Sequence, residues 1–467
     1  MRRPSLAIPL LVGGFFGALA AQTAVKDTDF FWHLATGQQT LAHGLARTDV
    51  FSWTVSGERV LTDQWLGDVL IALAYTVGSW SGVIAIRALA VAGLVALTLG
   101  AALHARPGRP LIALLASLPA IALSHYAWTD RPELFGYAMF AALVWLVRLG
   151  QRGSSLAFAA TIPLLAIWCN LHGSSALGVG VVTAVCLERA ISVPSFRLRA
   201  ALLIVGALAA TLLTPSGLGI WSSSSGHFLA PPRFIQEEGV PDLRSEPGLL
   251  FSLTLGLVLA TALLGRGGGL SDAAILVPVA FVSLTATRHL PFFAIAAAPF
   301  LAANSVDALG SALRLFGLRA PVLASNLSGS APRAADLGAL IASGLILAAG
   351  VAVAPRAPDV SSFPNAALAA LSPGPGLLNR YEWGGFLIWY APATPVFVDG
   401  RLFPYVGDTL DEYRSVIGLH ADWREVLARR GIRTVLVAPS DAIAVRAADL
   451  GWQVLIRTEK YVLLRVP

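Results

Sequence analysis

Charge is scarce in this chain. Asp, Glu, Lys and Arg make up 13% of its 467 residues, against 56% hydrophobic. Soluble domains carry about 25% charged residues, so a single large soluble core is excluded and an integral membrane protein is implied. Lysine is nearly absent, confined to Lys26 and Lys460, and the remaining basic charge is arginine. Cysteine is limited to Cys169 and Cys186, both inside apolar runs, which excludes a disulfide framework and a cysteine metal site. A formal charge of +6 would suit a nucleic-acid binder. Here the arginines flank apolar runs, as orientation signals do, and no nucleic-acid partner is expected.

What is present is a succession of apolar runs, near residues 5–25, 82–103, 111–126, 134–149, 155–169, 174–190, 200–214, 249–264, 271–287, 290–305 and 336–354. About 20 apolar residues span a bilayer, so the first run reads as an uncleaved span after Met1-Arg2-Arg3 rather than a signal peptide. The segment Trp65–Trp80 contains Asp68 and reads as an interfacial or juxtamembrane helix. With the N-terminus inside, Arg106/Arg109, Arg148/Arg152, Arg189/Arg197/Arg199, Arg266 and Arg314/Arg319/Arg333 all fall on cytoplasmic connections. The fold class expected is a polytopic α-helical membrane protein of about 11 transmembrane helices, N-terminus in and C-terminus out. Charge returns to ordinary density after residue 355. The expected domains are therefore a membrane domain over 1–355, with a large first outer loop at 26–81, and a small α/β extracytoplasmic domain over 356–467. In the latter, Gly376–Leu378, Gly385–Tyr390, Pro395–Asp399, Thr434–Val437 and Tyr461–Leu464 read as strands, and Asp422–Leu427 opens a helix.

The polar clusters gather on the expected outer face. The first loop opens with Lys26-Asp27-Thr28-Asp29-Phe30-Phe31-Trp32-His33; Asp29 and His33 are four apart and share a face if the loop is helical. A carboxylate beside a histidine can activate a hydroxyl as general base, or the aspartate simply caps a short helix. The second turn holds Asp130, Arg131 and Glu133, either a site or a mutual ion pair fixing the hairpin. The third holds Asn170 and His172, where a buried structural histidine is the plainer reading. At the fourth, Arg288 and His289 suit a phosphate or mere interfacial snorkelling. Arg87, inside its span, raises the same question. The fifth is Asp399-Gly400-Arg401, a turn that reads as a ligand edge or as a structural salt bridge.

An inward N-terminus, a first outer loop opening with Asp-x-Asp, many spans and an outer terminal domain together resemble the GT-C superfamily of membrane glycosyltransferases. The resemblance extends to oligosaccharyltransferases and mannosyltransferases that use polyprenyl-phosphate sugars. It implies a catalytic role for Asp29 or Asp27, and it allows Asp130 and Glu133 to hold a divalent ion, Mg2+ or Mn2+. Tyr381-Glu382-Trp383-Gly384-Gly385 looks like a degenerate form of the Trp-Trp-Asp-Tyr-Gly motif, which adds Tyr381 and Trp383 to the substrate-binding candidates His33, Arg131, Asn170, His172, Arg288, His289, Asp399 and Arg401. The function expected is transfer of a sugar from a polyprenyl-phosphate donor to an acceptor hydroxyl of a glycan, lipid or protein, at the outer face of a bacterial inner membrane. A transporter or flippase of a lipid-linked substrate is the alternative, as is a non-catalytic envelope assembly protein. A transporter is disfavoured by the lack of an internal repeat and of charges at mid-span.

Overall fold

The computed structural model of the chain describes residues 5–61, 63–221, 236–265, 268–318, 333–401 and 403–467. Two compact units emerge, one of Met1–Thr23 and Ile84–Ala354, the other of Ala24–Val83 and Pro355–Pro467. The first loop, which the sequence reading grouped with the membrane domain, thus folds with the C-terminal segment.

In the first unit each apolar run read from the sequence coincides with a helix. Among the described residues six helices are long and apolar enough to cross a membrane, and the chain is a membrane-embedded protein. Proline enters several helices at the first turn, at Pro110, Pro247 and Pro291, where its missing N–H costs no hydrogen bond. The helix Leu290–Leu315 forms the centre, with every residue from Leu290 to Ala302 buried. The helix Arg333–Ala352 instead leaves Leu337, Leu340, Ile341 and Leu345 exposed, as a lipid-facing surface would.

Small residues set the closest helix packing. On the helix Ala7–Ala20, a Cβ on Gly13 would lie 2.5 Å from the Ala92 carbonyl oxygen, and one on Gly17 would lie 2.5 Å from that of Ala88. On its other side Gly14 meets Ser343 and Gly350 meets Ala18. Glycines four apart bring helix backbones together where lipid supplies no hydrophobic drive. The start of this helix is tied down by Asp336, whose Oδ1 accepts from Ser5 Oγ (2.7 Å) and from the Leu6 N–H (2.8 Å).

The second unit carries a four-stranded sheet of order β1-β2-β4-β3, with β1 Leu377–Asn379, β2 Thr434–Val437, β3 Gln453–Arg457 and β4 Val462–Arg465. β1 and β2 are parallel and the other pairs antiparallel. Two expected strands take other forms. Gly384–Tyr390 is a helix, because Gly384 and Gly385 admit close approach of Val398–Asp399 and of Thr28 and Trp32, and its apolar side packs on the helix Phe30–His43. Phe386 stacks on Phe363 (4.9 Å) and meets Phe31 edge-on (5.8 Å). The Pro395–Asp399 segment lies outside the sheet; Val396 bridges instead to the first loop, its N–H donating to Phe51 O and its carbonyl accepting from the Trp53 N–H.

We expect Gly17→Val to cost about 1–3 kcal/mol through overpacking. The check is a lower thermal midpoint of the detergent-solubilised protein; an unchanged midpoint would show that the first helix does not pack as described.

Candidate functional site

Two clusters, one in each unit, contain five of the residues singled out by sequence: Arg131, Glu133 and Arg288 in the first, Asp399 and Arg401 in the second. In the first unit, Arg288 sits among three carboxylates. Its Nε donates to Glu133 Oε1 (3.2 Å), its Nη1 is hydrogen-bonded to Glu238, and Glu237 lies 3.9 Å from Nη2. Arg131 holds Glu237 with both terminal nitrogens, at 3.0 and 3.3 Å. The Tyr137 hydroxyl lies between Glu133 Oε1 (2.9 Å) and the Arg288 carbonyl (2.7 Å). A cavity of about 240 Å³ opens here, with Arg131, Glu133, Tyr137 and Arg288 on its polar side and Leu290 and Pro291 on its apolar side. Among the described residues two guanidinium groups stand against three carboxylates here, with no surplus positive charge.

The neighbouring candidates divide. Asp130 lies apart from this cluster, its two oxygens taken by Arg87 Nη1 at 3.0 and 2.9 Å, with Arg87 Nη2 also bonded to the Thr23 carbonyl. His172 Nδ1 accepts from the Ser174 N–H (3.2 Å), which puts the ring proton on Nε2. Ser174 Oγ lies 2.8 Å from the same nitrogen and accepts from Trp168 Nε1. Asn170 Nδ2 donates to the carbonyls of Ala166 and Leu213, both at 2.8 Å, and so holds a helix end. His289 Nδ1 lies 3.2 Å from the Val282 carbonyl, a structural tie.

The divalent ion allowed at Asp130 and Glu133 can be tested on these contacts. A guanidinium occupies the approach to each carboxylate, and no group of three His, Cys, Asp or Glu able to hold an ion occurs among the described residues. The residues present do not fit such an ion.

In the second unit the Asp399-Gly400-Arg401 turn is a buried ion network. Arg401 donates from Nε to Asp399 Oδ1 (2.8 Å) and from Nη2 to Asp399 Oδ2 (2.6 Å), and its Nη1 lies 2.5 Å from Asp49 Oδ1. The Tyr405 hydroxyl donates to Asp399 Oδ2 at 2.5 Å. Both carboxylates are fully buried. Burial alone would push Arg401 down; Asp399, Tyr405 and Asp49 override it and hold it well above its ordinary value.

Asp29 sits at the head of the helix Phe30–His43, its own N–H donating to Asp27 Oδ1 at 2.9 Å. Its carboxylate packs against the Cα of Gly400, where a Cβ would collide with Asp29 Oδ1. His33 Nδ1 bonds Asp68 Oδ1 at 2.7 Å, with both side chains buried and the ring stacked on Trp32 (3.5 Å). Tyr381 and Trp383 lead into the helix Gly384–Tyr390; the Tyr381 N–H donates to the Tyr413 hydroxyl (3.0 Å), and Trp383 is buried beside Tyr461.

No family model and no curated protein matches the sequence. Among solved structures the chain is similar to the oligosaccharyltransferase of Archaeoglobus fulgidus in its apo form, with a TM-score of 0.59 and 10% identity over 92% of this chain and 69% of that one. The same archaeal enzyme, AglB, in complex with an inhibitory peptide and a dolichol-phosphate gives a TM-score of 0.57 and 11% identity over the same shares. The fold is shared with this archaeal oligosaccharyltransferase. ArnT from Cupriavidus metallidurans bound to undecaprenyl phosphate superimposes less closely, with a TM-score of 0.49 and 15% identity over 98% of this chain and 96% of that one.

Several residues of these clusters were not among the site candidates read from the sequence: Tyr137, Glu237 and Glu238 in the first unit, and Trp32, Asp49 and Asp68 in the second. The Glu237-Glu238 doublet and the i, i+3 spacing of Asp29 and Trp32 were the available signals.

Two outcomes are expected at the Arg401 network. Arg401→Met leaves Asp49 and Asp399 buried without their cation and costs about 3–5 kcal/mol, read as a collapsed thermal midpoint; a change below about 1 kcal/mol would mean the pair is solvated. The Tyr405 hydroxyl is pushed well above its ordinary value, by burial first and by Asp399 second. Its contribution is complete below the ordinary tyrosine value of about 10 and is lost as pH rises through the higher folded value. Stability should therefore fall above pH about 10, and Tyr405→Phe should remove that part of the slope in midpoints measured from neutral to alkaline pH.

Proposed function

We propose that this chain is an integral-membrane glycosyltransferase that moves a sugar from a polyprenyl-phosphate donor to an acceptor hydroxyl at the outer face of a bacterial inner membrane. The observation that carries the reading is the fold shared with the oligosaccharyltransferase, which makes the acidic first loop the place to look for the base. About eleven spans, an inward N-terminus and an outer second unit follow from the arginine pattern. The donor would be a polyprenyl-phosphate-linked sugar, and the acceptor a glycan, lipid or protein.

In this mechanism Asp29 accepts the proton of the acceptor hydroxyl as its oxygen bonds to the anomeric carbon. The sugar–phosphate bond breaks with its electron pair passing to the phosphate oxygen, and the configuration inverts. Asp27 fixes the backbone that presents Asp29. Arg131 and Arg288 are the candidate phosphate ligands, but a phosphate reaches them by displacing a carboxylate. Glu237, with a side chain 35% exposed, is the most accessible of the three.

Removing a general base costs about 10²–10⁴ in rate. Asp29→Asn should therefore lose transfer from a polyprenyl-phosphate sugar in reconstituted vesicles while keeping the wild-type melting point. Full retained transfer would discard Asp29 as the base. Mass analysis of surface glycans and glycolipids after gene deletion should show loss of one defined sugar, and an unaltered profile would count against glycosyl transfer.

A further inference from the structure

Glu237 holds the place on the arginines that a phosphate would need. Its carboxylate meets the fork of Arg131 with one oxygen to each terminal nitrogen, at 3.0 and 3.3 Å. The same carboxylate lies 3.9 Å from Nη2 of Arg288. A phosphate binds a guanidinium by this geometry too, with two of its oxygens on two N–H groups. Glu237 therefore covers the bidentate face of Arg131 and the flank of Arg288 together.

The three acidic partners are not equivalent. Glu133 and Glu238 are 9% and 6% exposed and hold Arg288 through Nε and Nη1. Glu133 also accepts from the Tyr137 hydroxyl at 2.9 Å, which ties it into a buried network. Breaking such a pair strands a charge away from water. Glu237 is 35% exposed, and an ion pair open to water to that degree contributes little and exchanges readily. Room for the exchange is at hand. Glu237 borders the cavity of about 240 Å³ with both arginines, and Leu123, Leu290 and Pro291 line its apolar side.

We propose that Glu237 is a built-in competitor for an incoming phosphate group. The resting chain closes its own phosphate site with this carboxylate, and a phosphate opens it by taking over Arg131 and Nη2 of Arg288. Glu133 and Glu238 keep Arg288 in place throughout. The phosphate gains its contacts only by giving up the Glu237 pair, so the chain holds phosphate less tightly than its arginines alone would allow. This rests on the reading of Arg131 and Arg288 as phosphate ligands and adds regulation to it.

The test is calorimetric binding to the full chain in phosphatidylcholine nanodiscs, with empty nanodiscs as the blank and two probes, decyl phosphate and inorganic phosphate. Glu237→Gln keeps the size of the side chain and removes its charge. Kd for decyl phosphate should fall at least about fivefold, the equivalent of about 1 kcal/mol. Glu237→Ala should bind as tightly, and added acetate should weaken binding in that variant alone, because acetate refills the vacated fork. Tightening for decyl phosphate but not inorganic phosphate supports the competition and assigns the site to a lipid-borne group. Tightening for both supports it and assigns the site to free phosphate. An unchanged Kd would mark Glu237 as a surface ion pair, and a weaker one as a group that receives the ligand; either overturns the proposal, as does binding of neither probe by any of the three proteins. If Glu237→Gln tightens binding while the wild type transfers no sugar, glycosyl transfer falls and the competitor stands. If sugar is transferred while neither variant alters Kd, the competitor falls and glycosyl transfer stands.

Discussion

The guanidinium of Arg401, clamped between the fully buried carboxylates of Asp49 and Asp399, is the interaction on which the second unit depends. Asp49 belongs to the first loop and Asp399 to the C-terminal segment, so the pair joins stretches of chain that the whole first unit separates. Taking three charges out of water is costly unless geometry satisfies nearly every donor and acceptor. Here the fork of Arg401 meets both oxygens of Asp399 and one of Asp49, and Tyr405 adds a further donor. The consequence reaches the candidate site by a short route. Arg401 fixes the turn, the turn sets the Cα of Gly400, and that Cα is the surface on which the Asp29 carboxylate rests.

The first unit meets the opposite problem, since lipid offers its charges no water and no hydrophobic drive. Its arginines are matched at both ends. At one end Arg148 reaches Asp272 (2.5 Å), Arg106 reaches Asp307 (3.2 Å), and Arg189 and Arg152 take the free carbonyls of Gln151 and His104. At the other, Arg87, Arg131 and Arg288 are held by Asp130, Glu133, Glu237 and Glu238. Helix ends leave several carbonyls without partners, and long guanidinium side chains are well made to serve them. Between these two polar layers the packing relies on glycine and alanine contacts and on the buried front half of Leu290–Leu315.

How much of this was legible depended on how local the cause was. The apolar runs became helices because their signal is a continuous property of each segment. β1, β2 and β4 were readable for the same reason, as short buried apolar runs. Gly384–Tyr390 looked like a strand because a run of Phe, Leu, Ile, Trp and Tyr favours strands. What accompanies the helix is the space Gly385 leaves beneath Thr28 and Trp32 of the first loop, a contact across more than 350 residues that propensity does not record. β3 was missed because it is an edge strand with mostly exposed or half-exposed positions and so carries little apolar signal. The site followed the same rule. Asp29 was singled out from its own neighbourhood, whereas the His33–Asp68 contact spans 35 residues, which local spacing does not record.

The balance of charge around Arg288 separates what the two clusters can do. Two guanidinium groups facing three carboxylates attract an anion weakly, because each arginine already has a carboxylate partner that the anion must displace. Such a cluster favours neutral, hydroxyl-bearing ligands, which can accept from an arginine and donate to a glutamate without breaking a pair. The Asp29 carboxylate has other surroundings, resting on the Cα of Gly400, while the Arg288 cavity is bounded by an apolar wall at Leu290 and Pro291.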